Sequence, residues 1–205
     1  VNLPQGLLQS PGTGKSRACL EKLHLMALMN GGMRGLIVRK TLASLGSTAL
    51  VTWREQVIRE SLACGDVKFY GGSPQESPQY RYTNGSVIVV GGMDKATRIM
   101  SSEYDVAYVQ EATELTENDW ESITTRLRHG RISFQQLLGY CNPDTPTHWI
   151  KQRADKGQTV MYESRHEDNP RLFDDAGERT EVGRAYIGKL DALTGVRHAR
   201  LRRGQ

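Results

Sequence analysis

Cysteine is scarce in this 205-residue chain: Cys19, Cys64 and Cys141 are its three, far apart and with no C-x-x-C spacing. That scarcity excludes a disulfide framework, and all three read as reduced, buried thiols of a cytosolic protein. Long hydrophobic runs are missing too. No apolar stretch approaches the roughly 20 residues of a spanning helix, and the opening Val1-Asn2-Leu3-Pro4 is not a signal peptide. There is no internal repeat and no low-complexity linker, which argues for one large domain over residues 1–205 with a sizeable core. Charge of one sign is in no marked excess, with 27 Lys and Arg against 23 Asp and Glu. So mild an imbalance permits a nucleic-acid partner without demanding one, because steering depends on clustering rather than on the total. An initiator Met is also absent and the first apolar run begins almost at once, so the chain is expected to be a fragment.

What is present is organised around Ser10-Pro11-Gly12-Thr13-Gly14-Lys15-Ser16. This stretch follows the apolar run Gly6-Leu7-Leu8-Gln9 and opens a helical pattern, so it reads as a phosphate-binding loop between a strand and a helix. Phosphate needs backbone N–H groups aimed inward, which Gly and small residues allow, and the positive end of a helix. Lys15 would reach the β- and γ-phosphates of a nucleotide, and the Ser16 hydroxyl would ligate Mg²⁺. Gln9 stands where the G-x-x-x-x-G-K-S pattern has its first Gly, which distorts the entry from the strand more than it removes a phosphate ligand. A glycine-rich turn with a chance Lys-Ser is the bland alternative; the flanking strand and helix weigh against it.

The rest of the chain alternates. Leu20, Leu23 and Ala27 give a helical stripe ending at Gly31-Gly32, and Gly35 to Arg39 is a short apolar run suited to a strand covered on both faces. Leu42 to about Ala63 reads as one helix, with Leu50, Trp53, Val57 and Leu62 on its buried side. Tyr80 to Thr83 and Ser86 to Val90 flank Asn84-Gly85, a strong hairpin signal, so a β-hairpin is expected as an addition to a parallel sheet. A strand at Asp105 to Val109, an acidic helix from about Thr116, strands at Gln136 to Cys141 and Thr159 to Glu163, a break at Asn169-Pro170 and a helix from Glu181 to Leu193 complete the pattern. Strands alternating with helices predict an α/β fold with a mostly parallel sheet flanked by helices.

Two strand ends carry further chemistry. Val109 is followed by Gln110 and Glu111, at what would be the ligand edge of the sheet. Beside a bound nucleotide, Gln110 would hold a metal-bound water through its carbonyl, and Glu111 is an ionisable base able to orient an attacking water. Tyr140-Cys141-Asn142-Pro143 is the second polar end. There Asn142 could hydrogen-bond the γ-phosphate or the lytic water, although Asn-Pro alone is an ordinary turn signal.

In that order, Gln9 to Ser16, Asn84-Gly85-Ser86, Val109-Gln110-Glu111-Ala112-Thr113-Glu114-Leu115 and Gly139-Tyr140-Cys141-Asn142-Pro143 resemble the ATPase domain of a tailed-phage large terminase. The resemblance continues through His166-Glu167-Asp168-Asn169-Pro170 and Leu193-Thr194-Gly195, over nearly the whole chain. It implies a P-loop NTPase fold of the ASCE/RecA-like type and a Mg²⁺-dependent ATPase that drives double-stranded viral DNA into a procapsid through the portal. The implied partners also include the small terminase subunit and further copies of the chain in a ring, with a monomer expected in isolation; the implied location is the host cytoplasm and, transiently, the portal vertex. The nuclease domain that normally follows is not expected in this chain.

Position by position, the resemblance implies a nucleotide-binding segment of Gln9, Ser10, Pro11, Gly12, Thr13, Gly14, Lys15, Ser16 and Arg17, with Lys15 and Ser16 as the Walker A pair. It makes Glu111 the catalytic Glu and Asn142 the coupling residue; Ser16 and Gln110 stand at the metal, Gln110 where Asp is usual. No Arg lies inside the loop. Arg98 is the favoured finger toward a neighbouring subunit, with Arg39 and Lys40 as rivals that could act within one subunit. Such a residue can be worth roughly 10³ to 10⁵ in rate. Arg126, Arg128 and Arg131, with His129, form a basic cluster that could grip DNA phosphates, and Arg197 to Arg203 form another. Asp174, Asp175, Glu178 and Glu181 read as a solvated loop and helix start rather than a metal site. A helicase-like DNA-dependent ATPase and a nucleotide-binding assembly module without turnover are the alternatives.

Overall fold

The computed structural model describes residues 5–9, 14–142, 145 and 147–203. Its centre is an eight-stranded sheet in the order β3-β4-β5-β2-β6-β7-β1-β8. The strands are β1 (Gln5–Gln9), β2 (Arg34–Arg39), β3 (Val67–Tyr70), β4 (Gln79–Tyr82), β5 (Val87–Gly92), β6 (Val106–Val109), β7 (Gln136–Cys141) and β8 (Val160–Glu163). From β5 through β2, β6, β7 and β1 to β8 every pairing is parallel. All six C-terminal strand ends therefore share one edge. β7 is inserted between β1, which precedes α1 in the chain, and β6, which leads into Gln110 and Glu111. The fold is that of a P-loop NTPase.

Burial on both faces explains the apolar runs. Along β6, Val106 and Tyr108 pack with α1 (Lys15–Met29) residues Cys19, Leu20 and Leu23, while Ala107 and Val109 point to the opposite core. A period of two thus divides one continuous apolar strand between two layers. The first layer also contains the segment after β2, where one long helix was expected. The chain instead forms α2 (Leu42–Gly46), α3 (Ala49–Thr52), a π-turn over Trp53–Val57 and α4 (Arg59–Ala63). Thr48 leaves the helical region at φ −128° and ψ −92°, and the Ile58 N–H reaches back five residues to the Trp53 carbonyl at 2.9 Å. Wide turns of this kind bring an extra residue into register while keeping the buried face, here Leu50 and Trp53, on the sheet.

The hairpin also differs from an appendage. Gly85 takes φ +85° at the expected turn and β4 pairs antiparallel with β5, but β5 itself is an inner strand parallel to β2. β3 then pairs antiparallel with β4 and closes that side. Of the three thiols, Cys19 and Cys141 are buried; Cys64 is exposed, because it lies at the C-terminal end of α4 with its Sγ turned to Asp66. On the second face lie α5 (Ala96–Met100), α6 (Glu117–Thr124) and α7 (Trp149–Asp155), with Trp120 and Trp149 at a centroid distance of 5.6 Å. α8 (Glu181–Asp191) packs Ile187 and Leu190 on Leu172 and Phe173. No helix among the described residues is long and apolar enough to cross a membrane.

Candidate functional site

The C-terminal strand edge gathers most of the residues singled out by the sequence. Gly14 caps α1 at φ +82°, a left-handed conformation that suits Gly, and so delivers Lys15, Ser16 and Arg17 into the first helical turn. Ser10, Pro11, Gly12 and Thr13 lie outside the described residues, as does the side chain of Gln9. Lys15 is only 5% exposed, with Nζ 5.2 Å from the centroid of the Tyr140 ring. Burial pushes its ammonium down to about 8, opposed by the charges of Cys141, Glu111 and Cys19. A desolvated cation of this kind gains more from a polyanion than a solvated one does. Arg17 is exposed and paired with Glu21 at 2.7 Å.

Glu111 directly follows Gln110 at the end of β6 and adopts φ +51° and ψ +59°, alone among the described non-glycine residues in taking positive φ. Such a conformation costs on the order of 1–2 kcal/mol for an L-residue and persists only where its surroundings hold it. Here the Glu114 N–H donates to the Glu111 carbonyl at 2.9 Å, and the Gln110 N–H donates to the Val38 carbonyl at 2.8 Å. Trp149 Nε1 donates to the Leu115 carbonyl just beyond, at 2.9 Å. Burial raises the Glu111 carboxyl above its ordinary value; Arg39 and Lys15 oppose that shift and Glu114 adds to it.

Gln110 is nearly buried and its Oε1 accepts from the Tyr108 hydroxyl at 2.6 Å. Burial raises the Tyr108 and Tyr140 phenols, and Ser16 beside them opposes the shift. Asn142, at the end of β7, has a buried Oδ1 with no hydrogen-bond partner among the described residues. At an edge where ligands bind, an orphaned acceptor points to an occupant. A cavity of about 700 Å³ opens at Lys15 and Ser16, lined also by Gly14, Tyr140, Asn169 and Arg171, while Gln110, Glu111 and Asn142 are not among its lining residues.

The remaining candidates are elsewhere. Arg39 lies at this edge, but its Nε donates to Glu114 at 2.8 Å and its Nη1 to Thr48 at 3.2 Å. Lys40 pairs with Asp119 at 3.0 Å. Arg98 is exposed on α5, which follows β5, and lines a different cavity with Lys95, Gly91 and Gly92. Three strands, β2, β6 and β7, separate β5 from β1, so one subunit does not bring Arg98 to its own Lys15. Arg126, Arg128 and Arg131 sit at the opposite, N-terminal strand edge. Asp105, fully buried there, accepts the backbone N–H of Arg34 at 3.0 Å and of Arg131 at 2.8 Å and pairs with His129 at 2.9 Å. Arg128 pairs with Glu103 at 2.8 Å and Arg131 Nε donates to the Gly31 carbonyl at 2.9 Å. The Asp174 carboxylate caps the backbone of Ala176 and Glu178 as a loop would. In the second basic run the side chains of Arg200 and Arg203 lie outside the description, while Arg202 pairs with Asp191 at 2.7 Å.

Sequence reasoning missed Tyr108 and Tyr140 as site residues, because tyrosines in apolar strand runs carry the signature of core. It also missed Thr52, Gln56 and Arg171, which reach the cavity from distant segments. For Thr52 and Gln56 the enabling feature is the π-turn that starts after Thr52 and contains Gln56, and nothing in the local pattern announces it.

Comparison with known proteins agrees with this geometry. The family model described as phage terminase large subunit matches residues 7–182. No curated protein matches the chain. Among solved structures, the large terminase of a thermophilic bacteriophage in complex with ADP superposes with a TM-score of 0.74 at 15% identity, covering 98% of this chain and 48% of that one. The same terminase in complex with ATP-gamma-S gives 0.71 at 15% identity, covering 98% and 47%. The large terminase ATPase domain of Thermus phage P74-26 gives 0.69 at 12% identity, covering 100% and 89%. This chain spans about half the length of the thermophilic bacteriophage's large terminase.

Proposed function

Because the chain belongs to the phage terminase large subunit family, we propose that it hydrolyses ATP and couples that hydrolysis to translocation of double-stranded viral DNA into a procapsid. The observation that carries this reading is the convergence of Lys15, Ser16, a strained Glu111 and an orphaned Asn142 Oδ1 at one strand edge. Lys15 neutralises the β- and γ-phosphates from a buried position. Glu111 orients a water against the γ-phosphorus and takes its proton as the bond to the bridging oxygen breaks, releasing ADP and phosphate. Its raised pKa suits a base that must also let the proton go. Asn142 offers Oδ1 to that water and so reports whether water or product is present.

Magnesium fits the donor set. The described residues hold no cluster of three or more His, Cys, Asp or Glu that could cage a metal, whereas Mg²⁺ in nucleotide sites takes few protein ligands and completes its shell with phosphate oxygens and waters. Ser16 would hold it directly and Gln110 through a water; when bound with nucleotide it supplies charge neutralisation at the phosphates. Copies of the chain would form a ring on the portal together with the small subunit, with Arg98 facing the neighbour's nucleotide and the Arg126, Arg128 and Arg131 edge available to DNA phosphates.

Direct tests are Lys15→Ala, expected to abolish ATP binding, and Glu111→Gln, expected to bind ATP while losing about two to four decades of turnover. Near-wild-type turnover in Glu111→Gln removes that residue from the role of base. Binding without turnover in the wild type favours an assembly module instead.

A further inference from the structure

The cavity at Lys15 and Ser16 also receives Arg171, a residue the mechanism above leaves without a part. It comes from the segment after β8, which brings Asp168, Asn169 and Pro170 to the cavity wall as well. Two hydrogen bonds fix its backbone: the Arg171 N–H donates to Asn169 Oδ1 at 3.0 Å, and its carbonyl accepts from Thr180 Oγ1 at 2.6 Å. Leu172 and Phe173, next in the chain, are buried with α8 residues Ile187 and Leu190, and the missing Cβ of Gly183 lets that helix approach the Leu172 carbonyl. The Arg171 side chain is exposed on this anchored stem. Among the described residues its guanidinium has no hydrogen-bond or ion-pair partner.

The surrounding charges make that isolation informative. Of the carboxylates that line the cavity, Glu21 is paired with Arg17 at 2.7 Å and Asp168 accepts the Arg165 N–H at 2.6 Å. Arg39 is held by Glu114. Lys15 from α1 and Arg171 from the segment after β8 are thus two cations on one space of about 700 Å³. A guanidinium presents its donors as a planar fork that matches a pair of phosphate oxygens. The sheet order indicates which phosphates these are. Glu111 follows β6 and Arg171 follows β8, with β7 and β1 between them, and Glu111 does not line the cavity. We infer that Arg171 binds the non-transferred α- and β-phosphates of the nucleotide held by its own subunit, from the side of Lys15 away from Glu111. The inference rests on the ATPase reading above for the nucleotide at Lys15, and adds the cation in cis that a phosphate loop without Arg does not supply. Because the α- and β-phosphates stay together after hydrolysis, ADP keeps this contact.

The test is binding of ADP and of a non-hydrolysable ATP analogue to Arg171→Gln and Arg171→Lys, read by calorimetry, with thermal unfolding as the check on folding. Arg171→Gln is expected to weaken both nucleotides equally, by about tenfold or more, the scale of a hydrogen bond to a charged group. Arg171→Lys keeps the charge without the fork and is expected to fall between that variant and the wild type. Unchanged ADP affinity in Arg171→Gln overturns the inference. So does a loss confined to the ATP analogue, which would put Arg171 at the γ-phosphate, and so does an equal loss in the two variants, which would make its contact one with the base or ribose. The two readings fail separately: a wild type that binds ADP and never hydrolyses ATP ends the ATPase reading and leaves this contact in place, whereas a wild type that binds neither nucleotide ends both.

Discussion

Lys15 is the residue where physical chemistry and expected function meet most directly. Folding holds its ammonium at about 8 against the ordinary 10.5, because burial disfavours the charged form. Between those values the unfolded chain binds more protons than the folded one, so this group makes stability rise with pH across that window. A bound polyphosphate acts in the opposite direction by favouring the charged ammonium. ATP affinity is therefore expected to be level below pH 8 and to fall by up to about tenfold per unit above it, measured by calorimetry or a fluorescent nucleotide; Lys15→Arg, which keeps its charge, should remove the fall. That Lys15 would open a helix behind an apolar strand was legible from the sequence around Gly14-Lys15-Ser16. Its burial was not, because the groups that cover it, Tyr140 among them, come from a strand more than a hundred residues away. Glu111 was legible in the same partial way: its place after an apolar strand can be read from sequence, whereas its left-handed backbone depends on the turn through Glu114 and the Trp149 contact beyond it.

At the scale of elements, local chemistry and tertiary context divide the outcome. The acidic helix α6 begins where its cap dictates: Thr116 Oγ1 accepts the Asp119 N–H at 3.1 Å and the Asp119 carboxylate accepts the Thr116 N–H at 3.0 Å. Thr116→Ala should cost about 1 kcal/mol in urea denaturation, with ATP binding retained, since Thr116 touches neither Lys15 nor Ser16. A reciprocal box of this kind is written in four residues and can be read from them. The segment from Leu42 to Ala63 shows the other case. Its apolar spacing correctly put Leu50 and Trp53 inward, but the breaks at Thr48 and Ile58 arise from packing Trp53 between His24 and Tyr80. The antiparallel pairing of β3 with β4 is likewise set by neighbours, and alternation alone gave no sign of it.

Across the whole molecule, the parallel strands separate two edges: Lys15, Ser16 and Glu111 at one, the arginine cluster pinned by Asp105 at the other. Arg98 belongs to neither, being exposed beyond β5 and remote from Lys15 of the same chain. If it completes a neighbour's site, Arg98→Ala subunits that still bind ATP should poison a mixed ring, so that activity falls faster than the wild-type fraction; activity proportional to that fraction would assign the stabilising charge to the same chain, where Arg39 is the candidate. The same geometry sets the most direct test of the central claim. ATP turnover per subunit, measured with Mg²⁺ over a range of protein concentrations, should rise with concentration and vanish in both Lys15→Ala and Glu111→Gln. Turnover that stays absent at every concentration, or that survives in either variant, would contradict an ATPase built at this strand edge and activated by assembly.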